Sequence, residues 1–161
     1  MLQLLRAIAL VLLLCSPSWA AFASVGNICS GSSTTAGLTL TCTAAAQLDT
    51  GNLGVLLIAL DNTSTTNGNT TEVSTVVDNA LNTWTKIREF CNGQGTAATG
   101  ATVSVWYTIA SANLPITTGI ITITFANTIT SKAAKVWEFT DRKSTRLNSS
   151  HIQKSRMPSS A

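Results

Sequence analysis

The chain has 161 residues, of which 45% are hydrophobic and 11% are charged, and its formal net charge is +3 at pH 7. The single histidine, His151, lies near the C-terminus, so the preceding body can hold neither a histidine metal ligand nor a histidine-dependent hydrolase triad. Half of the ten basic side chains also lie between positions 142 and 156. The body before them has more acidic than basic side chains, which excludes a nucleic-acid-binding function based on a basic surface.

The first 23 residues have the three-part pattern of a secretory signal peptide. One basic residue, Arg6, precedes an apolar run from Ala7 to Leu14, and small residues form two candidate cleavage sites that end at Ala20 and Ala23. The apolar run is shorter than the roughly 20 residues that cross a membrane. We therefore expect a secreted protein, periplasmic or extracellular, that makes no membrane contact after cleavage.

An exported chain can form disulfides, and the predicted mature part contains Cys29, Cys42 and Cys91. A Gly/Ser/Thr-rich segment separates the first two, so we favour a Cys29–Cys42 bridge that pins the N-terminal arm to the first strand. Cys91 then pairs, if at all, with a cysteine outside this sequence, and three buried thiols without any bridge are the alternative. The spacing lacks the CxxC pairs of zinc and redox sites, and we expect no cofactor.

After residue 23 no segment has a helical period, and Thr, Ser, Asn, Gly and Val dominate the composition. Short stretches bounded by turn residues predict strands at 36–43, 53–60, 72–77, 83–90, 101–110, 121–125 and 132–140. The stretch Leu53–Leu60 is apolar on both faces, which predicts a central strand covered on both sides. This pattern predicts an all-β fold, an antiparallel β-sandwich of the jelly-roll or Ig-like kind, over residues 24–140.

The segment from Val76 to Phe90 is the one around which the predicted fold is organised. A β-branched pair ends one strand, residues 78–82 supply side chains that bond their own backbone, and an aromatic-containing strand follows. We interpret this segment as a β-hairpin that sets the register of the sheets.

Residues 141–161 resemble the translation of a short-read sequencing adapter. The stretch DRKSTRLNSSH, from Asp141 to His151, matches one fixed part of such an adapter, and SRMPSSA, from Ser155 to Ala161, matches the part that follows a short index. We therefore expect these residues to be an artefact, non-native and disordered, that has no bearing on charge or function. The alternative is a natural basic, Ser-rich tail.

Between residues 53 and 140 the sequence resembles a β-sandwich module of secreted bacterial proteins and of phage virion or tail proteins. The resemblance rests on four stretches in order: VVDNALNTWTKI, VSVWYTIA, GIITITFAN and KVWEFT. The matching positions are Asp78, Asn82, Thr83, Trp84, Trp106, Tyr107, Glu138 and Phe139. This family commonly has a glycine before the asparagine of the turn, where this chain has Ala80 and Leu81. The resemblance implies no catalytic residues, and it implies further strands after the Glu-Phe stretch, so we expect the sandwich to be truncated at its C-terminus.

Asp78, Asn79 and Asn82 are candidate calcium ligands, because Ca²⁺ is held by carboxylate and carbonyl oxygens. All three lie in the predicted turn, where such side chains commonly cap backbone amides. We favour capping and keep calcium as the alternative.

Trp84, Trp106 and Tyr107 are candidates for an aromatic platform that binds sugar rings. Aromatic side chains in strands more often pack in the core or in cross-strand pairs, which is the interpretation that we favour. Among the three we expect Trp106 to be exposed, because its neighbours Ser104 and Thr108 indicate the polar face of that strand.

Glu89 and Glu138 are the candidate acid pair of a glycan hydrolase or lyase, which requires two carboxyl groups about 5 to 10 Å apart. No accompanying motif supports such a pair. Solvated carboxylates, or ion pairs with Lys86, Arg88 or Lys135, are the favoured interpretation.

These features predict an exported, non-catalytic β-sandwich module with a structural or surface-binding role. Its expected partners are a polysaccharide or another surface or virion protein, and neither nucleic acid nor a membrane. A carbohydrate-binding module is the first alternative, and a jelly-roll glycan hydrolase or lyase is the second. Because a sandwich without its last strands exposes an apolar sheet face, we also expect the chain to be poorly soluble.

Overall fold

The computed structural model describes residues 22–61, 67–68, 71–93 and 100–141. Eight strands occur within them: β1 (Phe22–Ser33), β2 (Gly37–Thr43), β3 (Leu53–Asp61), β4 (Val73–Asp78), β5 (Thr85–Asn92), β6 (Ala101–Ile109), β7 (Ile120–Ile129) and β8 (Lys132–Asp141). They form a five-stranded sheet of order β1-β8-β3-β6-β5 and a three-stranded sheet of order β2-β7-β4. Every pairing is antiparallel, and the two sheets pack against each other, so the predicted all-β sandwich is confirmed.

The core lies between the two sheets and is built from alternate residues of each strand. The five-stranded sheet contributes Leu56, Ile58 and Val136, and the three-stranded sheet contributes Ile121 and Ile123, all with no exposed surface. Burying one such side chain stabilises the fold by about 1.5 to 3 kcal/mol relative to leaving it in water. The alternation of β3, β7 and β8 thus places one side of each strand in the core.

The first strand was not predicted from the sequence. β1 is rich in glycine and serine, and its pairing with β8 shifts register after Ser24 and after Asn27, so the expected alternation of apolar and polar residues is lost. It begins at Phe22, inside the segment predicted to be a leader, and Phe22 pairs with Asp141. The remainder of that leader, residues 1–21, and the adapter-like residues 142–161 lie outside the described part of the chain.

The predicted hairpin between Val76 and Phe90 is wrong. β4 pairs with β7 in the three-stranded sheet, whereas β5 pairs with β6 in the five-stranded sheet. The connection from Asp78 to Trp84 therefore crosses from one sheet to the other at one end of the sandwich. Turn residues between two strands suit both arrangements, so the local pattern does not distinguish a hairpin from a crossing.

A disulfide joins the two sheets. It links Cys29 on β1 to Cys42 on β2, which is the pairing favoured from the sequence, and both side chains are buried. Cys91 is buried on the inward side of β5.

β3 occupies the centre of the five-stranded sheet, as its apolar sequence predicts, but the described residues cover only one of its sides. Leu56, Ile58 and Leu60 are buried in the core. On the outward side Leu57 is 40% exposed and Ala59 is exposed as well. The expectation of cover on both sides is therefore wrong for the described part of the chain.

Candidate functional site

β6 turns its apolar side outward and its hydroxyl-bearing side toward the core. Thr102, Ser104 and Thr108 are buried, whereas Val103 is 47% exposed and Ile109 is more exposed still. The prediction that Trp106 is exposed is wrong, because the polar side on which it lies faces inward. Its ring is only 6% exposed, and its Nε1 donates a hydrogen bond to Ser104 Oγ at 2.9 Å. The orientation of β6 is the reverse of that expected for a strand with one solvated face.

The outward side of β6 belongs to a continuous surface on the five-stranded sheet, which we call the apolar face. The register of β8, β3, β6 and β5 places their outward residues in rows across the sheet. The apolar face consists of Leu53, Val55, Leu57, Ala59, Phe90, Val103, Val105, Tyr107, Ile109, Ala133, Trp137 and Phe139, with Arg88 and Lys135 among them. An exposed apolar surface of this extent is typical of an interaction site.

One row of the apolar face brings two aromatic side chains close together. Val55 on the central strand pairs with Trp137 on one side and with Tyr107 on the other. Tyr107 is at the surface, as a binding role requires, and Trp137 is half-buried with the Lys135 ammonium 4.9 Å from its ring centre. The sequence interpretation named Tyr107 but not Trp137. The alternation of Lys135, Trp137 and Phe139 along β8 was the available signal.

The charges of the apolar face are both positive. Lys135 and Arg88 lie in the same row, separated by Leu57 and Val105. No carboxylate lies between them in that row, and Glu89 on β5 and Glu138 on β8 point into the core. Three strand spacings, about 14 Å, separate the two cations.

A shallow groove of about 500 Å³ crosses the apolar face at the level of its smallest side chains. Ala59 and Ala133 pair directly and form part of its lining, and Ser32 of β1 continues the same row. Leu57 and Lys135 border the groove on one side. The groove therefore combines an apolar floor with hydroxyl and ammonium groups.

The outward side of the three-stranded sheet is more polar, and we call it the threonine face. Its register aligns Thr39 with Thr124 and Thr75 in one row, and Thr41 with Thr122 and the exposed Val77 in the next. Ile120, opposite Thr43, is also partly exposed on this side. Threonine has high β-propensity and remains hydrated on an exposed sheet surface. The threonine face is therefore mixed, with more hydroxyl groups than the apolar face.

The side-chain oxygens of the candidate calcium ligands accept hydrogen bonds, some from within the turn and some from other loops. Asp78 Oδ1 accepts from the amides of Ala80 and Asn82, each at 3.0 Å, and Oδ2 accepts from the Trp84 indole at 2.8 Å. The side-chain Oδ1 of Asn79 accepts from the amide of Ile120 at 2.9 Å. Asp78 thus caps its own turn, as favoured from the sequence, whereas Asn79 bonds to the start of β7 and not to its own turn.

Asn82 joins the crossing to the end of β6. Its Oδ1 accepts hydrogen bonds from the amides of Ser111 at 2.8 Å and Ala112 at 3.0 Å. No cluster of three His, Cys, Asp or Glu side chains that could hold a metal occurs in the described residues. Trp84, the third aromatic candidate, is buried in the core beside this turn.

Glu89 and Glu138 are not brought together as an acid pair. Glu89 pairs with Ser104, which faces Ile58, whereas Glu138 faces Gly54, four residues away along β3. Three strand spacings across the sheet and four residues along it separate their Cα atoms by about 19 Å. That is roughly twice the largest separation at which two carboxylates act on one glycosidic bond.

Each of these carboxylates has a structural partner. Glu89 Oε2 lies 2.9 Å from Lys86 Nζ and also accepts from the amide of Val73, which ties β5 to the other sheet. Glu138 is only 1% exposed, so the expectation that its carboxylate is solvated is wrong. Its Oε1 accepts from the Asp49 amide at 2.8 Å and from Asn52 Nδ2 at 2.6 Å.

Comparison with protein families, with curated proteins and with solved structures found no match. In the part of the chain that the structure describes, no helix long and apolar enough to cross a membrane is present.

Proposed function

We propose that this chain is an exported, non-catalytic β-sandwich module with a structural role, and that it binds another protein surface through the apolar face. The observation that carries the proposal is the orientation of β6, which places Val103 and Ile109 in solvent and Thr102 and Thr108 in the core. A strand that evolved for a free surface has the reverse arrangement. Export is supported by the leader-like N-terminus and by the Cys29–Cys42 disulfide, a bond that persists in oxidising compartments.

The apolar face is large for a surface left in water. Its four strands, each about nine residues long, cover roughly 600 Å² of sheet. A contiguous exposed apolar patch of more than a few hundred Å² is uncommon on monomeric soluble proteins and marks an interaction site.

The test compares matched lysine substitutions on the two faces. Val103→Lys places a charge on the apolar face, and Thr41→Lys places the same charge on the threonine face. The exported protein is sedimented from unfractionated extracts of the compartment that contains it. We expect the wild-type chain and Thr41→Lys to sediment in complexes and Val103→Lys to remain in the supernatant. The same distribution for all three would overturn the proposal.

Carbohydrate binding is the second candidate, favoured by the row in which Trp137 and Tyr107 flank Val55. Aromatic rings on a sheet surface can stack on sugar rings. Native electrophoresis through gels that contain polysaccharide tests it, with Tyr107→Ala and Trp137→Ala expected to abolish retardation and Tyr107→Phe to preserve it. Absence of retardation by any glycan would eliminate this candidate. Hydrolysis is not proposed, since the structure separates Glu89 from Glu138.

A further inference from the structure

We infer that Asn67 and Asn92 are deamidation sites that their mutual contact keeps unreactive, and that opening of this contact converts them irreversibly to isoaspartate and aspartate. Asparagine followed by glycine is the pair most prone to this reaction, because glycine has no side chain to hinder the approach of its own amide nitrogen. The sequence contains two such pairs, Asn67-Gly68 and Asn92-Gly93. The fold brings them together, outside the apolar face.

Deamidation begins when the glycine amide nitrogen attacks the side-chain carbonyl carbon of the preceding asparagine. The leaving NH₂ group takes up the amide proton and departs as ammonia, and the new C–N bond closes a five-membered succinimide ring. Water then opens the ring at either carbonyl and gives aspartate or isoaspartate, so water is the only co-reactant. A hydrogen bond that directs the glycine N–H elsewhere slows the first step.

The contact between the two pairs holds both attacking amides. The Gly68 amide donates to the carbonyl oxygen of Cys91 at 3.0 Å, and the Cys91 amide donates to the carbonyl oxygen of Gly68 at 2.7 Å. The Gly93 amide donates to Asn67 Oδ1 at 2.8 Å. Each glycine N–H therefore points to an acceptor on the other segment and not to the asparagine that precedes it.

Burial does not protect either asparagine. Asn67 and Asn92 are both exposed, so solvent reaches their side chains. Protection comes from the three hydrogen bonds, which must open before a glycine amide can turn toward the side chain that it attacks. The rate of deamidation is then the intrinsic rate multiplied by the fraction of molecules in which the contact is open.

Conversion of Asn67 makes the opening permanent. Isoaspartate adds one methylene to the backbone before Gly68, which displaces the Gly68 amide and carbonyl from Cys91. Those two groups cover the outer edge of β5, the last strand of the five-stranded sheet. Without them the N–H and C=O of Cys91 are open to pairing with another chain. The modification thus turns a transient opening into a lasting exposure of this edge.

Incubation of the purified full chain at mildly alkaline pH, followed by peptide mapping with mass spectrometry, tests this inference. We expect both sites to convert at least tenfold more slowly in the folded chain than in the chain unfolded by urea. Asn67→Ala removes the acceptor of the Gly93 amide, so it should accelerate conversion of Asn92 severalfold. Asn67→Asp keeps an acceptor oxygen and should leave the rate at Asn92 unchanged.

Asn113→Ala is the matched control. Asn113 is also exposed, and its Oδ1 accepts from the Thr50 amide at 2.8 Å, but it follows the end of β6, whereas the contact lies near the start of that strand. It should leave both rates unchanged. Equal rates in the folded and unfolded wild-type chain would overturn the inference. So would equal acceleration of Asn92 by Asn113→Ala and Asn67→Ala, or no acceleration by an Asn67→Ala variant with native circular dichroism. If Asn67→Ala does not fold, the wild-type comparison and the rate at Asn92 in Asn67→Asp decide.

Discussion

The indole N–H of Trp84 donates a hydrogen bond to Asp78 Oδ2 at 2.8 Å, across the connection that carries the chain from the three-stranded to the five-stranded sheet. The other carboxylate oxygen accepts from the amides of Ala80 and Asn82. One buried carboxylate therefore fixes both the path of the crossing and the position of a core tryptophan.

Replacing Asp78 with asparagine should lower the free energy of unfolding by about 1 to 3 kcal/mol. The amide can preserve the two backbone contacts only by turning its NH₂ group toward the indole, which leaves a buried donor without an acceptor. Urea denaturation followed by circular dichroism measures the change. Trp84→Phe removes the indole donor, so the cost of Asp78→Asn should be smaller in that background. Equal costs in both backgrounds would contradict a direct interaction.

Leu81→Gly should stabilise the protein by about 1 kcal/mol. Leu81 has a φ of 63° and is 85% exposed, so its side chain gains little from packing while its backbone has a left-handed conformation that costs a non-glycine residue about 1 to 2 kcal/mol. Ala80→Gly is the control, and it should destabilise, because Ala80 is partly buried against the core. Thermal melting of both variants checks the opposite signs.

Thr102→Val should increase the free energy of unfolding by about 1 kcal/mol. Its hydroxyl is fully buried and has no hydrogen-bond partner among the described residues, and valine has nearly the same shape without the polar group. Ser104→Ala, two positions away on the same side of β6, should destabilise because the Trp106 indole loses its acceptor. Guanidinium denaturation of both variants is the measurement, and a loss of stability in Thr102→Val would show that its hydroxyl does have a partner.

Removing the disulfide, by reduction or by Cys29→Ala with Cys42→Ala, should lower the free energy of unfolding by about 3 kcal/mol. The two cysteines are 13 positions apart, and a loop of this length restricts the unfolded chain by roughly that amount. Denaturation with and without reductant gives the value. The double variant should show no further response to reductant, and a response would assign the effect to another thiol.

The strands could be predicted from the sequence where a regular alternation is present. β6 and β8 follow their period of two, whereas β1, with its glycine, serine and register shifts, lacks it. The central position of β3 was also predictable, because an apolar run on both sides of a strand suits the middle of a sheet.

Orientation and long-range contacts could not be predicted. Alternation divides β6 into two sides, but Trp106 and Tyr107 lie on opposite sides, so polarity and aromatic content gave conflicting indications of which side is buried. The contact between Glu138 and the amide of Asp49 spans 89 positions. Nothing local to either residue indicates it, and a glutamate in a strand without such a partner would be expected in solvent.

The position of the disulfide determines how the domain responds to tension. Phe22 and Asp141 are paired at one end of the antiparallel β1–β8 ladder. A force applied at these two residues therefore breaks the hydrogen bonds of the ladder one pair after another, and not all at once. The opening stops at Cys29, where the load passes through a covalent bond to β2 in the other sheet. With the disulfide intact, the domain therefore extends at low force only until the chain has separated as far as Cys29, and further extension needs a higher force. Under reducing conditions the disulfide no longer limits this extension.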